Sequence, residues 1–184
     1  PNAPTCVPEV TGHLEADEYI LYDALTSVKF PTITTLGGAL RVTSAAGLRT
    51  LDLPALRHVG GYMWWQENPD LATVNVPALE SVDGYVKITA AQGLEVLQMS
   101  ALQSVGGYFW CQQNIALTSV DMPALESVDG YLKIMLNEVL VTANLPALLS
   151  TGHYLVIKQN VVLVNVDLSA LDSVGSDFYI KENA

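Results

Sequence analysis

Serines recur at Ser81, Ser104, Ser127, Ser150 and Ser173 with a spacing of 23, and His58 holds the same phase one interval earlier. A histidine stacked about one strand spacing (~4.8 Å) from Ser81 would begin a base–nucleophile pair. Hydrolysis also needs an orienting acid and a concave, water-excluding site. Nothing in the sequence supplies the cleft, so the column reads as small residues beside a turn, and the chain as a non-enzyme. A second column, Asn68, Asn114, Asn137, Asn160 and Asn183, has the same spacing; stacked amides at a corner hydrogen-bond the backbone of the neighbouring coil. A third, Asp52, Asn75, Gln98, Asp121, Asn144 and Asp167, is a ladder of oxygens of the kind calcium takes. Its carboxylates come only at intervals and the glycine-rich calcium repeat is missing, so it reads as a solvated polar ladder. His13, His58 and His153 fall in different columns, and no zinc set forms with Cys6 and Cys111. The expectation is no metal and no cofactor.

The aromatic columns differ. Successive rows read Ala39-Arg41-Thr43, Tyr62-Trp64-Gln66, Tyr85-Lys87-Thr89, Tyr108-Trp110-Gln112, Tyr131-Lys133-Met135, Tyr154-Val156-Lys158 and Asp177-Tyr179-Lys181. Arg41, Lys87, Lys133, Lys158 and Lys181 are five of the eight basic residues, all on this face. A strip of Tyr and Trp offers large rigid area at low entropic cost and suits protein or carbohydrate recognition. Tyrosine ladders with interleaved lysines also stabilise a sheet through cross-strand and cation–π contacts, and both roles are compatible. The candidate binding surface is therefore Tyr62, Trp64, Tyr85, Lys87, Tyr108, Trp110, Tyr131, Lys133, Tyr154 and Tyr179.

What must position these columns is a repeat. Segments opening at Pro54, Pro77, Ser100, Pro123, Pro146 and Ser169 stand 23 apart, each beginning Pro/Ser-Ala-Leu. A fixed period of this size marks a solenoid or propeller, whose units bury their apolar side against the next unit. Tyr85 to Thr89 alternates with period two, sending Val86 and Ile88 inward. Leu79 with Val82 supplies a second inward segment, and Leu94, Leu97 and Met99 a third, while Gly-Gly, Asp-Gly and Pro mark the corners. Proline spacing forbids long helices. The predicted fold is all-β: a three-sided, right-handed parallel β-solenoid of about eight coils, since eight coils of 23 fill the 184 residues. Residues 1–184 read as a single domain, with 1–30 an irregular N-terminal capping coil and 31–184 regular repeats. Residues 8–23 are acidic (Glu9, Glu15, Asp17, Glu18, Asp23), as suits a polar cap. At Asn183-Ala184 the last coil lacks its final side, which leaves a strand edge as a liability or a docking site.

Half of the residues are apolar and the formal net charge is -11. That charge repels phosphate backbones and anionic lipid, so neither nucleic acid nor a membrane surface is an expected partner, and no run of about 18 apolar residues exists to span a bilayer. The chain opens without Met, basic n-region or signal sequence, which reads as a processed product or a trimmed chain. Cys111 falls in an inward column with Val42, Trp65, Ile88 and Ile134. Cys6 lies more than four repeats earlier, on the order of 20 Å away at ~4.8 Å per strand, too far for a disulfide. It reads as a free thiol or as half of a bridge to another chain.

The string Leu-x-x-Val-x-Gly-Tyr-(Val/Leu)-Lys-Ile, at Leu79 to Ile88 and Leu125 to Ile134, resembles the receptor L domain, a leucine-rich-repeat-like β-helix. That family supplies ligand-binding lobes of insulin- and epidermal-growth-factor-type receptors, and related repeats occur in fungal cell-wall and bacterial surface proteins. The resemblance covers roughly residues 31 to 184 and implies an extracellular or cell-surface, non-catalytic role. Animal L domains carry disulfide-linked ends and degenerate repeats. This chain has regular repeats, no plausible internal disulfide and no Asn-x-Ser/Thr sequon, which brings it nearer the bacterial surface members. Two functions compete: a recognition or adhesion module binding protein or glycan through the aromatic strip, and a structural subunit that stacks on copies of itself end to end. Ice binding fails because Thr50, Thr73, Val96, Ser119, Thr142 and Asn165 form too mixed a column. Polysaccharide cleavage fails because the strip has no paired carboxylates.

Overall fold

Wherever the alternating segments run between corner residues, the backbone is extended. The computed structural model describes residues 18–21 and 26–183, and every regular element among them is a β-strand. A coil starting at Met63–Gln66 continues through Thr73–Asn75 and Ser81–Val82, then returns to Val86–Thr89. Each coil therefore lays one strand on each of three faces, all in parallel pairing. Val86 lies between Met63 and Phe109, and Lys87 between Trp64 and Trp110. The 23-residue period is thus the strand register itself, and this is the expected three-sided β-solenoid.

The long sheet has eight strands, from Glu18–Leu21 to Phe178–Lys181. The serine sheet has seven two-residue strands, from Thr35–Leu36 to Ser173–Val174. The third face is interrupted: Ser27–Lys29 to Val96–Gln98 form one sheet of four strands, and Ser119–Asp121 to Asn165–Asp167 another of three. Inward residues of all three faces meet in one core. Met63, Trp65, Val74, Leu79, Val82, Val86, Ile88, Phe109 and Cys111 have essentially no exposure. At the last coil the pattern persists without cover: Phe178 and Ile180 are 49% and 47% exposed, whereas Leu155 and Ile157 in the same columns are at 0%.

The first coil departs from the sequence reading. Glu18–Leu21, assigned to an irregular cap, is a strand paired with Ala39–Val42, with Glu18 opposite Ala39. That offset is 21 (39 minus 18), and the two-residue contraction removes the segment from the 23-residue register. Ser27–Lys29, also assigned to the cap, is a strand paired with Thr50–Asp52 in the 23-residue register, and positions 1–17 and 22–25, with Cys6 and His13, lie outside the described residues.

Two corner devices keep the coils in step. At Gly107 a β-carbon would stand 2.9 Å from the Tyr85 nitrogen and 3.0 Å from the Gly84 carbonyl carbon, so a side chain there would have to displace the backbone of the preceding coil. On the far side of the long sheet, Ser44, Glu67, Ala90, Gln113, Leu136, Gln159 and Glu182 all have φ between 54 and 57°. These seven left-handed residues recur every 23 positions and none is glycine, although each L-residue there costs about 1–2 kcal/mol. After Ser44 and Ala90 the next residue is alanine; after the other five it is an asparagine of the internal column, whose side-chain bonds offset the cost.

Candidate recognition surface

The outward positions of the long sheet bring nine of the ten expected residues into one continuous strip. Tyr62, Tyr85, Tyr108, Tyr131 and Tyr154 stack with centroid separations of 4.6–4.9 Å and interplanar angles of 5–7°. The strand spacing of a parallel sheet, ~4.8 Å, sets this distance, so the ladder follows from the register once each coil places a tyrosine after its glycine corner. The rings are half-buried by one another. Burial, reinforced by neighbouring Tyr108 and Tyr154, pushes the Tyr131 phenol up to about 12, and burial also raises Tyr108.

Two residues along each strand lies a column of different logic. Arg41, Trp64, Lys87, Trp110 and Lys133 alternate cation and indole on consecutive coils. The Arg41 guanidinium is 4.6 Å from the Trp64 centroid, and the Lys87 ammonium is 4.9 Å from Trp64 and 5.4 Å from Trp110. Lys133 is 5.2 Å from Trp110 and 4.4 and 4.8 Å from Tyr131 and Tyr154. Each indole face thus meets a cation, an attraction of about 0.5–1 kcal/mol at exposed sites and more where water is excluded. The indole donors are engaged too: Trp64 Nε1 donates to Gln66 Oε1 at 3.1 Å, and Trp110 Nε1 to Gln112 Oε1 at 2.8 Å. Lys87 Nζ donates to the same Gln66 oxygen at 3.0 Å.

Between the two glutamines the coil of Lys87 carries the smaller Thr89. A notch of about 210 Å³ results, lined by Gln66, Lys87, Thr89, Trp110 and Gln112 among others. Ala90 and Gln113 also line a second groove of about 540 Å³ along the left-handed corner, whose walls include Ile115, Leu136, Glu138 and Val161. Tyr179 is the residue the strip leaves out. It continues the cation–indole column beyond Val156, not the tyrosine ladder, and lies under Lys181 at 5.4 Å. The neighbouring carboxylate of Asp177 raises its pKa. The sequence reading omitted Arg41, Gln66 and Gln112 from the site; their places in the same rows of the 23-residue register were the available signal.

The other columns resolve into internal bonding. Asn68 Oδ1 accepts from the Ala45 amide at 2.9 Å, and Asn68 Nδ2 donates to the Val42 carbonyl at 2.9 Å. Asn114, Asn137, Asn160 and Asn183 repeat this one coil on, each reaching back to its predecessor. This is the role the sequence assigned to them, and it fastens the corner that the left-handed residues strain. In the oxygen ladder, Asn75 Nδ2 donates to Asp52 Oδ1 at 2.7 Å and Asn144 Nδ2 to Asp121 Oδ1 at 2.6 Å. Burial alone would raise the Asp52 carboxyl, but the hydrogen bonds from Lys29 and Asn75 and the Lys29 charge outweigh it and lower the pKa. Both Asp52 oxygens are thus engaged, one by the Asn75 amide and one by the Lys29 ammonium at 2.9 Å, and one Asp121 oxygen by the Asn144 amide.

His58 Nδ1 lies 2.9 Å from Ser81 Oγ, and His58 Nε2 lies 3.7 Å from Asp83 Oδ2, an acid the sequence reading did not connect with the pair. The three form a serine–histidine–aspartate set on an open sheet surface. Backbone amides beside Ser81 are already committed: Ser81 to the Arg57 carbonyl, Asp83 to Val59 and Gly84 to Gly61. None of these three amides is left to donate to a developing oxyanion. Cys111 is a free, fully buried cysteine whose sulfur accepts from Asn114 Nδ2 at 3.3 Å, and burial pushes its thiol up to about 12. Comparison of the chain with protein-family models, with curated proteins and with solved structures gives no match.

Proposed function

We propose that this solenoid is a non-catalytic recognition module displayed outside the cell, and that it holds a protein partner against the outer face of its long sheet. One observation carries the reading: the ring faces of the strip are covered from within. Tyrosines cover tyrosines, and cations cover Trp64 and Trp110. A pyranose ring would need an open aromatic face to stack on, and here the strip offers ring edges, phenol hydroxyls and ammonium groups instead. Rigid, amphipathic edges of this kind are what protein interfaces use as anchors. The same face gathers Arg41, Lys87, Lys133, Lys158 and Lys181 on a molecule of net charge -11, which favours a partner surface bearing carboxylates and steers its approach.

The test is an array of purified surface proteins and of glycans, probed with the wild type and with the double variant Lys87→Glu/Lys133→Glu. The reading requires protein binders whose affinity falls about 30-fold or more in the double variant, on the order of 1 kcal/mol per reversal, and whose binding weakens with salt. Glycan binders untouched by the reversals, or protein binders that keep full affinity, would refute it.

A further inference from the structure

Three consecutive coils of the outer strip differ in size. The rows Trp64-Gln66-Glu67 and Trp110-Gln112-Gln113 flank Lys87-Thr89-Ala90 in register, so one coil of shorter residues lies between two of longer ones. The step leaves the notch of about 210 Å³ beside the buried Thr89. That volume is below the roughly 300–1,000 Å³ of sites for drug-sized ligands and suits a single side chain. Two coils on, Lys133 has the bulkier Met135 beside it instead. The indole donors fix which way both glutamine amides point. Gln66 Oε1 accepts from Trp64 Nε1 at 3.1 Å and from Lys87 Nζ at 3.0 Å, which uses both of its lone pairs. Gln112 Oε1 accepts from Trp110 Nε1 at 2.8 Å. The amide nitrogens are thereby turned toward the corner, to Glu67 Oε1 at 2.8 Å and Gln113 Oε1 at 3.1 Å, and each keeps a second hydrogen. Lys87 forms no ion pair among the described residues, and its one hydrogen bond goes to an uncharged amide, so two of its three hydrogens remain. Thr89 adds a hydroxyl with no hydrogen-bond partner among the described residues. The wall therefore holds an excess of donors around one positive charge.

We infer that this notch takes one carboxylate side chain, an aspartate or glutamate, from the partner protein. The Lys87 ammonium is its charge partner, and the Thr89 hydroxyl and the glutamine amides are further donors. The inference rests on the recognition reading and names what that surface grips. The indole faces of Trp64 and Trp110, 4.9 and 5.4 Å from Lys87 Nζ, shield the ammonium on two sides. A charge-assisted hydrogen bond formed there is stronger than at an open surface, because the local dielectric is lower. An uncharged amide fits less well, since it brings donors of its own to a wall whose Gln66 oxygen is already full. Among the lining residues Glu67 alone carries a carboxylate, and it is exposed at the rim. Its charge limits what the notch accepts: a monoanion beside Lys87 is repelled less than a phosphate near two negative charges.

The probe is N-acetyl-glutamate amide, titrated into the full chain beside N-acetyl-glutamine amide, inorganic phosphate and methyl glucuronide, and read at the indole N–H signals in proton–nitrogen correlation spectra. Trp110 lines the notch, whereas Trp65 is fully buried in the core and reports that each variant is folded. Saturable movement of the Trp110 signal with Trp65 fixed is expected for the glutamate probe and not for the glutamine probe. Thr89→Gln is the diagnostic change, because it carries the column of Gln66 and Gln112 through the notch without altering any charge. Thr89→Gln and Lys87→Met should each weaken the glutamate probe by about ten-fold or more, as loss of a charge-assisted hydrogen bond does, and Glu67→Gln should tighten it. A glutamate probe that moves no indole signal, equal binding of the glutamine probe, tighter binding of phosphate or methyl glucuronide, or full affinity in Thr89→Gln would each overturn the proposal. Against a protein binder the two readings part. A binder weakened by Lys87→Glu/Lys133→Glu but untouched by Thr89→Gln would keep the strip and overturn the notch; glutamate held in the notch of a chain that binds no protein would keep the site and overturn the strip.

Discussion

Truncating Asn137 to alanine tests what holds the left-handed corner. Its side chain makes three bonds with no exposure to solvent: Oδ1 accepts from the Asn114 amide at 3.0 Å, and Nδ2 donates to the Cys111 carbonyl at 3.3 Å and to Asn160 Oδ1 at 3.2 Å. The variant leaves Asn160 Oδ1 with its other donor, the Asn137 amide, and takes from the Cys111 carbonyl only a second donor, since Cys111 lies in a strand paired with Leu132–Met135, but it strands the Asn114 amide in the core. A buried peptide group without a partner costs about 1–3 kcal/mol. Alanine already stands in this column at Ala45 and Ala91, so the chain still folds, which makes the loss measurable by urea unfolding followed by circular dichroism. The converse change, Ala91→Asn, would by register serve the Asn68 amide and the Trp65 carbonyl and add about 1 kcal/mol. If Asn137→Ala costs no more than Asn165→Ala at an exposed position, or if Ala91→Asn destabilises, the amide ladder is not what secures the corner.

The phenol of Tyr131 is raised in the folded state to about 12. Its contribution is therefore fully present below the ordinary tyrosine value near 10 and is lost as pH rises through about 12; absorbance at the tyrosinate band should show a late-titrating group that Tyr131→Phe removes, and an ordinary titration would contradict the ladder. Cys111, buried and raised by burial to about 12, should resist thiol reagents in the native protein and react only on unfolding, with peptide mapping to separate it from Cys6. Gly107→Ala should destabilise by about 1–3 kcal/mol, because the new methyl meets the Tyr85 nitrogen and the Gly84 carbonyl carbon, both backbone atoms; unchanged thermal stability would show that the coils have slack there.

Much of this molecule was legible because its register is its period. Once Lys87 is known to sit 23 residues from Trp64 and Trp110, the strand pairing, the inward columns and the membership of the outer strip follow from alternation alone. The asparagine bonds were legible for the same reason. What escaped depended on geometry within a coil. The positive φ before each asparagine leaves no compositional mark, since Ser44, Glu67, Ala90, Gln113, Leu136, Gln159 and Glu182 share no chemistry. The contact of His58 with Asp83 crosses from one column to its neighbour, which column-by-column reading does not see. Glu18–Leu21 was hidden because its offset of 21 breaks the period that revealed the rest.

The alternation of cation and indole also explains why the strip is not made of one residue type. Tyrosine rings stack on five consecutive coils, from Tyr62 to Tyr154, because their planes fit the strand spacing. Ammonium groups repeat that way only at a cost: at ~4.8 Å two lysines repel by about 0.9 kcal/mol even in bulk water and by more near a low-dielectric sheet, and Lys158 and Lys181 alone stand in adjacent register on this face. Placing an indole between them doubles the separation and lets one ring attract two cations, as Trp110 does with Lys87 and Lys133. The arrangement positions Arg41, Lys87 and Lys133 on every second coil and holds each over an aromatic face, so a partner meets an ordered row there. At Val156 the alternation stops, and Tyr179, Asp177 and Lys181 beyond it form a separate set. That break predicts that reversing Lys181 leaves the strip's partner bound while reversing Lys87 and Lys133 does not. If reversing Lys181 weakened binding as much as reversing Lys87 and Lys133, the recognition surface would have to continue past Val156.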